Sequence, residues 1–141
     1  MAHIVKVTGN ASSISLRGKS VTRVLFDSDT PHDSNARATD CGLGMIIWGN
    51  ILLGPQASDD PTLELAKWSQ VPSSNADCYR RVEAEVIHAG QTVRRYTLTD
   101  AFVVYYNEEF DDEAGEGTFT LMIRQKKDQL GQVAVNGGFP S

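Results

Sequence analysis

Apolar and polar residues alternate with a period of two along most of the chain. Val5 and Val7 alternate with Lys6 and Thr8. The same spacing recurs in three further apolar sets, which are Ile14 and Leu16, then Val82, Ala84 and Val86, then Phe119, Leu121 and Ile123. Because successive side chains of a strand point to opposite faces, this alternation predicts antiparallel strands with one face on a core. Two more continuously apolar runs, Val21–Phe26 and Leu43–Leu53, predict more deeply buried strands.

Turn sequences that contain glycine separate these runs. Ala89–Gly90 stands between two alternating runs and predicts a tight hairpin. Near the C-terminus, Val133 and Val135 predict a short edge strand. The following Gly137–Gly138 is expected to free the end of the chain.

A hinge with six acids is the strongest charge feature. It lies between two strand-like runs, Ala101–Tyr106 and Thr118–Arg124, and predicts a β-hairpin with a strongly negative edge. The acids are Glu108, Glu109, Asp111, Asp112, Glu113 and Glu116. Because the segment has no nucleophile–base pair and no metal-ligand spacing, we expect function to lie in a surface rather than in a pocket.

One segment, about residues 60–68, has the features of a short α-helix. Asp60 is expected to cap the free N–H groups, and Pro61 fits the first helical position. Leu65 and Trp68 are three residues apart and should share the buried face. The predicted fold is therefore mainly β, a single antiparallel β barrel or sandwich of about seven to nine strands with this one helix inserted. The 141 residues predict one domain that spans residues 1–141.

Composition narrows the function classes. The net charge of −5 disfavours duplex-DNA binding, because neutralising phosphates requires an excess of lysine and arginine on some face. The two cysteines, Cys41 and Cys78, form no CxxC pair and are expected to be small, reduced, at least half-buried side chains. The N-terminus lacks a charged region followed by a long apolar one, which predicts no signal peptide and assembly in the cytoplasm. No apolar run is long enough for membrane insertion, since glycines and Asn50 interrupt Leu43–Leu53.

Candidate chemical motifs are incomplete. Gly18-Lys19-Ser20 is similar to the end of a phosphate-binding loop, but that motif needs a glycine five positions before Gly18, where this chain has Ser13. The motif also needs a helix to follow, whereas a strand-like run follows here, so a plain turn is favoured. Asp27, Asp29 and Asp33 lack the mid-loop glycine and closing glutamate of a calcium loop. The histidines (His3, His32 and His88) are far apart, and no G-x-S-x-G motif is present. We therefore expect no catalytic residue, no metal and no cofactor.

Charged residues at the strand edges are candidates for contacts between subunits. The adjacent pairs Arg94–Arg95 and Arg80–Arg81 should each point to opposite sides of a strand. The acidic hinge and Lys126–Lys127 could pair between identical subunits, which suits head-to-tail stacking. The segment Asp27–Asp40, DSDTPHDSNARATD, is a long polar loop with no apolar period, and such loops tend to be functional.

The layout of these elements resembles that of a known group. The long loop is followed by GMIIWGNILL, a helix ending in KW, a strand beginning DCYRRVEAEV, and the run DAFVVYYNEEFDDEAGEGTFTLMIRQKK. From about Val21 to Lys127 the chain resembles the Hcp-like tail-tube proteins of type VI secretion systems and phage tails. The nearest likeness is to small Hcp-like proteins of Gram-positive bacteria.

The resemblance implies a structural, non-enzymatic subunit. Such subunits form hexameric rings that stack into a hollow tube, and their long loop contacts the next ring. The implied partners are the chain itself, sheath, baseplate or spike proteins, and cargo or DNA held in the lumen without sequence-specific binding. After assembly, the tube would be part of a virion or of an injected or secreted particle. The candidate interface residues are Asp29, Pro31, His32, Asp33, Arg37, Glu108, Glu109, Asp111, Asp112, Lys126 and Lys127.

Two other functions remain open from the sequence. A ligand-binding or carbohydrate-binding β-barrel module would need exposed aromatic residues on one face. Support for it is thin, because Tyr105 and Tyr106 should point to opposite faces, and Trp48 and Trp68 are expected to be buried. A hydrolase would need a nucleophile and base that no motif supplies.

Overall fold

The structure, a computed structural model, describes residues 1–10, 12–29, 42–126, 129 and 132–139, without the side chains of Asp29 and Phe139. Within these residues the chain forms eight strands, one α-helix and short 3-10 turns. The strands are β1 (Ala2–Thr8), β2 (Ser13–Arg17), β3 (Arg23–Asp29), β4 (Gly42–Ile51), β5 (Arg80–His88), β6 (Gln91–Asp111), β7 (Glu116–Gln125) and β8 (Ala134–Phe139). The helix α1 spans Thr62–Ser69, and the 3-10 turns span Gly18–Ser20, Gly54–Asp59 and Ala76–Cys78.

All the strands belong to one antiparallel sheet, in the order β2-β1-β5-β6-β7-β4-β3, with β8 paired to β6. The prediction of a mainly β, antiparallel fold with one inserted helix is confirmed. The alternating residues bury the faces that were predicted: Val5 pairs with Ala84 across β1 and β5, and both are fully buried. One apolar cluster joins both ends of the sheet, since it contains Leu16 of β2 and has Val24 of β3 packed against it. The sheet therefore curves around a single core.

The two continuously apolar runs differ in burial. β4 lies inside the sheet, between β7 and β3, and buries Met45 and Ile47 as predicted. The prediction of deep burial for Val21–Phe26 is wrong beyond Val21, because β3 is the last strand of the sheet and leaves Leu25 40% exposed. Leu25 points away from the core, opposite Ile46, whereas Val24 and Phe26 point toward the core and are partly buried against it.

The strand β6 is the longest element and pairs in two halves. Its first half pairs with β5 and β8, and its second half pairs with β7. The predicted Ala89–Gly90 hairpin joins β5 to β6, and both turn residues have positive φ (53° and 74°), as two-residue hairpins with right-handed twist require. Register shifts interrupt the pairing near Val86 and near Val103, where extra residues bend the strand.

The acidic hinge is mostly strand, which corrects the sequence interpretation. Glu108, Glu109 and Asp111 lie within β6, and the turn itself covers only residues 112–115. Pairing continues to the end of the hairpin, with Phe110 opposite Gly117. The Phe110 ring lies 2.9 Å from where a Gly117 Cβ would be, so an aromatic ring covers the glycine across the strands.

The helix α1 begins two residues later than predicted. Pro61 is the residue before the helix, and Asp60 does not cap the helical N–H groups. Its carboxylate instead accepts hydrogen bonds from the Leu52 N–H (3.0 Å) and the Thr62 hydroxyl (2.5 Å). The predicted anchors are correct, because Leu65 and Trp68 are almost completely buried in the core.

The C-terminal strand β8 is longer than predicted. The sequence suggested that Gly137–Gly138 would free the end of the chain, but both glycines lie within β8. Gly137 pairs with Arg94, and a Cβ at this position would collide with the Val93 carbonyl oxygen. Glycine is therefore needed here for close approach of the backbones rather than for flexibility.

Candidate functional surfaces

The six acids between Glu108 and Glu116, here called the acidic tip, are all exposed. Asp111 shapes the turn, because its Oδ1 accepts hydrogen bonds from the N–H groups of Glu113 (3.0 Å) and Ala114 (3.3 Å). Glu108 accepts a hydrogen bond from the Tyr106 hydroxyl. Within the described part of the chain, the side chains of Glu109 and Asp112 have no hydrogen bond or ion pair. The same holds for the side chains of Glu113 and Glu116, so four of the six acids are open to a contact with another molecule.

Tyr106 connects the acidic tip to the core. Its hydroxyl donates to Glu108 Oε1 at 2.7 Å and lies 3.5 Å from the Thr62 carbonyl, while its ring stacks on Phe119 with centroids 6.3 Å apart. The pKa of Tyr106 is raised well above its ordinary range. Burial of the phenol is the largest cause, and the hydrogen bond to Glu108 and the negative charge of Glu108 add to it. The phenol therefore stays neutral and holds the Glu108 carboxylate in place.

Lys126 lies at the other end of β7 from the acidic tip. Its N–H donates to the Asp100 carbonyl (2.9 Å), and its ammonium lies 4.9 Å from the centre of the Tyr79 ring. The ten residues of β7 separate the two charges by roughly 30 Å, at about 3.3 Å per residue. Within one copy the structure does not bring the acids and Lys126 together.

The remaining predicted interface residues lie mostly outside the described residues. This holds for Pro31, His32, Asp33, Arg37 and Lys127, while Asp29 is the last residue of β3. The prediction of a loop over Asp27–Asp40 is wrong for Asp27–Asp29, which belong to β3 and pair with β4. The role proposed for the remainder stays a prediction.

The four strands β6, β7, β4 and β3 present a second face away from the core, here called the outer face. One row across it consists of Asn107, Thr120, Trp48 and Arg23, which pair directly from strand to strand. The Arg23 guanidinium lies 4.5 Å from the centre of the Trp48 ring, which is a cation–π distance.

The sequence interpretation missed this row by taking Trp48 as buried, whereas it is only half-buried. The signal was present in the alternation: Met45 and Ile47 point to the core, so Trp48 must point the other way. Thr118 and Asn50 form the next row toward the acidic tip. The row on the other side, Tyr105, Met122, Ile46 and Leu25, is apolar apart from the Tyr105 hydroxyl. The outer face is therefore a mixed surface, with hydroxyl and amide groups concentrated toward the acidic tip.

The side chains of the two adjacent arginine pairs, Arg80–Arg81 and Arg94–Arg95, point to opposite sides of their strands, as predicted. Arg81 is exposed, whereas Arg80 is only 7% exposed and forms an ion pair with Asp77 at 2.6 Å beside the Trp68 ring. Arg94 is exposed, and Arg95 forms an ion pair with Glu85 at 2.6 Å. The sequence could not reveal that Arg80 belongs to the core boundary.

Several other features limit the chemistry. Gly18–Ser20 is a 3-10 turn followed by β3, so no helix follows to hold a phosphate. Burial lowers the pKa of His3, and His88 is exposed. Among the described residues no three His, Cys, Asp or Glu side chains converge as metal ligands, and no helix is long and apolar enough to cross a membrane.

Exposed aromatic rings do not form a platform for sugars in the described part of the chain. The large exposed aromatics there are Tyr105 (50%) and Phe110 (60%). They point to opposite faces of β6, because Tyr105 pairs with Met122 on the outer face and Phe110 follows Tyr106 and Glu108 on the other face. This separation disfavours a carbohydrate-binding module.

Comparisons with known proteins agree on one fold. No protein-family model and no curated protein sequence matches the chain. Among solved structures, Hcp1 from Flavobacterium johnsoniae is 20% identical, with a TM-score of 0.55 over 96% of each chain. Hcp1 from the E. coli EAEC 042 pathovar is 10% identical, with a TM-score of 0.59 over 97% of this chain and 99% of that one.

The likeness extends to contractile particles outside type VI secretion. The sheath–tube complex of the PVC extracellular contractile injection system matches at 10% identity, with a TM-score of 0.50 over 95% of this chain and 88% of that one. The AFP (anti-feeding prophage) baseplate contains a further match, at 11% identity and a TM-score of 0.53. Since these matches extend over nearly the whole length of both chains, the protein has the Hcp-like tail-tube fold.

Proposed function

We propose that this protein is a structural, non-enzymatic subunit of a hollow tail tube, which assembles into rings, six copies each, that stack on one another. The observation that carries this proposal is the shared fold, which spans 96% of this chain and 96% of F. johnsoniae Hcp1. A binding module inserted in a larger enzyme would be expected to match over only part of its relatives. The charges and strand edges described above supply a physical route to assembly.

Ring formation would use the ends of the sheet. β2 and β3 each pair on one side only among the described residues, so each leaves a row of backbone N–H and C=O groups without a strand partner. Such edges promote pairing with other chains, and a ring of identical subunits uses them up. A contact between two different edges is heterologous, and it closes into a ring when the rotation per subunit fits.

Stacking would use the charge polarity along β7. The acidic tip marks one end of the subunit and Lys126 the other, so identical copies arranged head to tail bring opposite charges together. Because these groups are exposed or near the surface, salt should weaken the attraction. The segment Asp27–Asp40, which begins with the last residues of β3, is proposed as a second stacking contact, with Lys127 adding to the charge of Lys126.

The outer face is proposed to line the channel. Its hydroxyl and amide groups at Asn107, Thr118 and Thr120 suit a water-filled lumen, where cargo or DNA passes without sequence-specific binding. Sheath, baseplate and spike proteins are the expected further partners. Assembly in the cytoplasm is proposed to precede incorporation into a virion or an injected tube.

Negative-stain electron microscopy of the purified protein tests the proposal. Rings or tubes are expected, and a three-dimensional reconstruction should place Thr120 toward the channel. Light scattering after size-exclusion chromatography gives the copy number per ring. A protein that stays strictly monomeric at high concentration and low salt would contradict the proposed function.

A further inference from the structure

A cavity of about 290 Å³ opens between the C-terminal end of α1, the segment that leads into β5, and the middle of β6. Its lining includes Trp68, Val71, Cys78, Tyr79, Phe102 and Val103. The cavity does not involve the acidic tip or the free edges of β2 and β3, and it meets the proposed stacking groups only at Tyr79, whose ring lies 4.9 Å from the Lys126 ammonium. Its use would therefore be separate from the strand-edge contacts proposed for ring formation.

The aromatic walls of the cavity are held in place by contacts of their own. The Trp68 ring is 1% exposed, and its N–H donates to the Cys78 carbonyl at 2.9 Å. Tyr79 and Phe102 meet edge to face, with centroids 6.0 Å apart and an angle of 79° between the rings. Preformed walls of this kind reduce the ordering cost of binding a flat, apolar molecule.

Three of the polar groups that line the cavity already have partners within the protein. The Trp68 N–H is taken by Cys78, and the Ser69 hydroxyl donates to the Ala66 carbonyl at 2.6 Å. The Cys78 thiol is oriented to the Ser73 carbonyl at 3.9 Å, which is a weak contact. A ligand would therefore meet aromatic and aliphatic surface beside polar lining atoms, among them those of Ser73, which is exposed at the rim.

We propose that this cavity binds a small aromatic molecule of one or two rings, with a single polar group that stays at the rim beside Ser73. The volume lies just below the range for small-molecule sites, roughly 300–1,000 Å³, and therefore suits a ligand of one or two rings. The three rings select flat aromatic compounds over saturated ones of similar size. Because Cys78 is part of the wall, an occupant also shields its thiol.

Fluorine NMR with 4-fluorophenol as the probe tests the proposal directly. The fluorine signal should broaden when protein is added, indole should reverse the broadening, and cyclohexanol should not. Val71→Phe fills the cavity and should abolish the broadening, whereas Val135→Phe on the exposed side of β8 should leave it unchanged. Equal competition by cyclohexanol, or broadening that persists in Val71→Phe, would overturn the proposed ligand class or site.

Alkylation of Cys78 supplies a second measurement that needs no cavity-filling variant. In a Cys41→Ser background, indole at roughly twice its Kd should slow the reaction of Cys78 with iodoacetamide about threefold. An unchanged rate together with an unbroadened fluorine signal would refute the site. The outcome is independent of tube formation, which electron microscopy of the same sample reports separately.

Discussion

Replacing Asp77 by alanine removes the partner of Arg80, the one charged side chain that is buried in the described part of the chain. The Arg80 Nη2 donates to Asp77 Oδ2 at 2.6 Å, its Nε donates to the Asp77 carbonyl at 3.2 Å, and its guanidinium lies 5.4 Å from the centre of the Trp68 ring. Asp77 Oδ1 also accepts the Asn10 N–H at 3.4 Å. The pair therefore ties the start of β5 to the β1–β2 turn and to the helix.

The expected loss follows from these contacts. Removing one partner of a fully buried ion pair costs about 3–5 kcal/mol, and a hydrogen bond to a charged group contributes about 1.5–3 kcal/mol. Because the Asp77 side chain is 29% exposed, water can partly replace it, and we expect a loss of about 2 kcal/mol. For 141 residues the entropy of unfolding is about 0.3 kcal/mol/K, so the Tm should fall by about 7 °C.

A matched control is available in α1. Lys67 and Glu64 are also three residues apart and pair at 3.5 Å, but their side chains are 62% and 46% exposed. Lys67→Gln should change the free energy of unfolding by less than about 0.5 kcal/mol. Thermal unfolding followed by circular dichroism, at one low protein concentration, compares the variants. Equal Tm losses for Asp77→Ala and Lys67→Gln would refute the reasoning from burial.

The same pair predicts a dependence on pH. The hydrogen bond from Arg80 lowers the pKa of Asp77 below its ordinary value of 3.8. Because the folded pKa is depressed, the contribution to stability is fully present above the unfolded pKa and is lost as the pH falls through the folded pKa. The Tm difference between the wild type and Asp77→Ala should therefore shrink below a pH of about 4. A difference that stays constant down to a pH of about 2 would contradict this assignment.

Three further predictions concern assembly and packing. Glu109→Lys reverses an unpaired charge of the acidic tip, so it should shorten the tubes seen by electron microscopy and make their length less sensitive to salt. Unchanged tube length would contradict the proposed charge contact between subunits. Deleting Pro31–Ala38 should preserve the circular dichroism of the β fold but stop ring stacking, and long tubes from this variant would show that the loop is not the contact. Gly49→Ala should lower stability by about 2 kcal/mol, because a Cβ there collides with the Ser20 carbonyl. Gly117→Ala should cost less, about 1 kcal/mol, because the exposed Phe110 ring can turn away and the Ile51 Cβ, 3.1 Å from the new Cβ, needs only a small shift. Equal losses in urea unfolding would contradict the packing.

The sequence pattern correctly predicted the features of the fold that depend on residues close together in the chain. The alternation at Val82 and Ala84 gave a strand with one buried face, and Ala89–Gly90 gave the hairpin, because both follow from the geometry of a few adjacent residues. The Leu65 and Trp68 spacing likewise identified the buried side of α1.

The errors occurred where distant residues decide the outcome. Asp60 has the right position for a helix cap, but its carboxylate accepts a hydrogen bond from the Leu52 N–H at the end of the preceding strand instead of from the helix. The end of β6 shows no apolar alternation because it is exposed on both faces, so only its pairing with β7 identifies it as a strand. Asp77 lies only three residues before Arg80, but the burial of Arg80 also depends on the Trp68 ring of α1, which the spacing of charges does not indicate.

The order of the strands in the sheet has a consequence for how the chain folds. The first 51 residues contain two hairpins, β1–β2 and β3–β4, which end up at opposite ends of the sheet. The three strands between them, β5, β6 and β7, form a meander of contacts close in sequence, and it ends only at Gln125. Since synthesis proceeds from the N-terminus, both hairpins leave the ribosome before the strands that join them. The native sheet is therefore completed by its central strands, and β1 and β4 each have one unpaired edge until β5 and β7 pair with them.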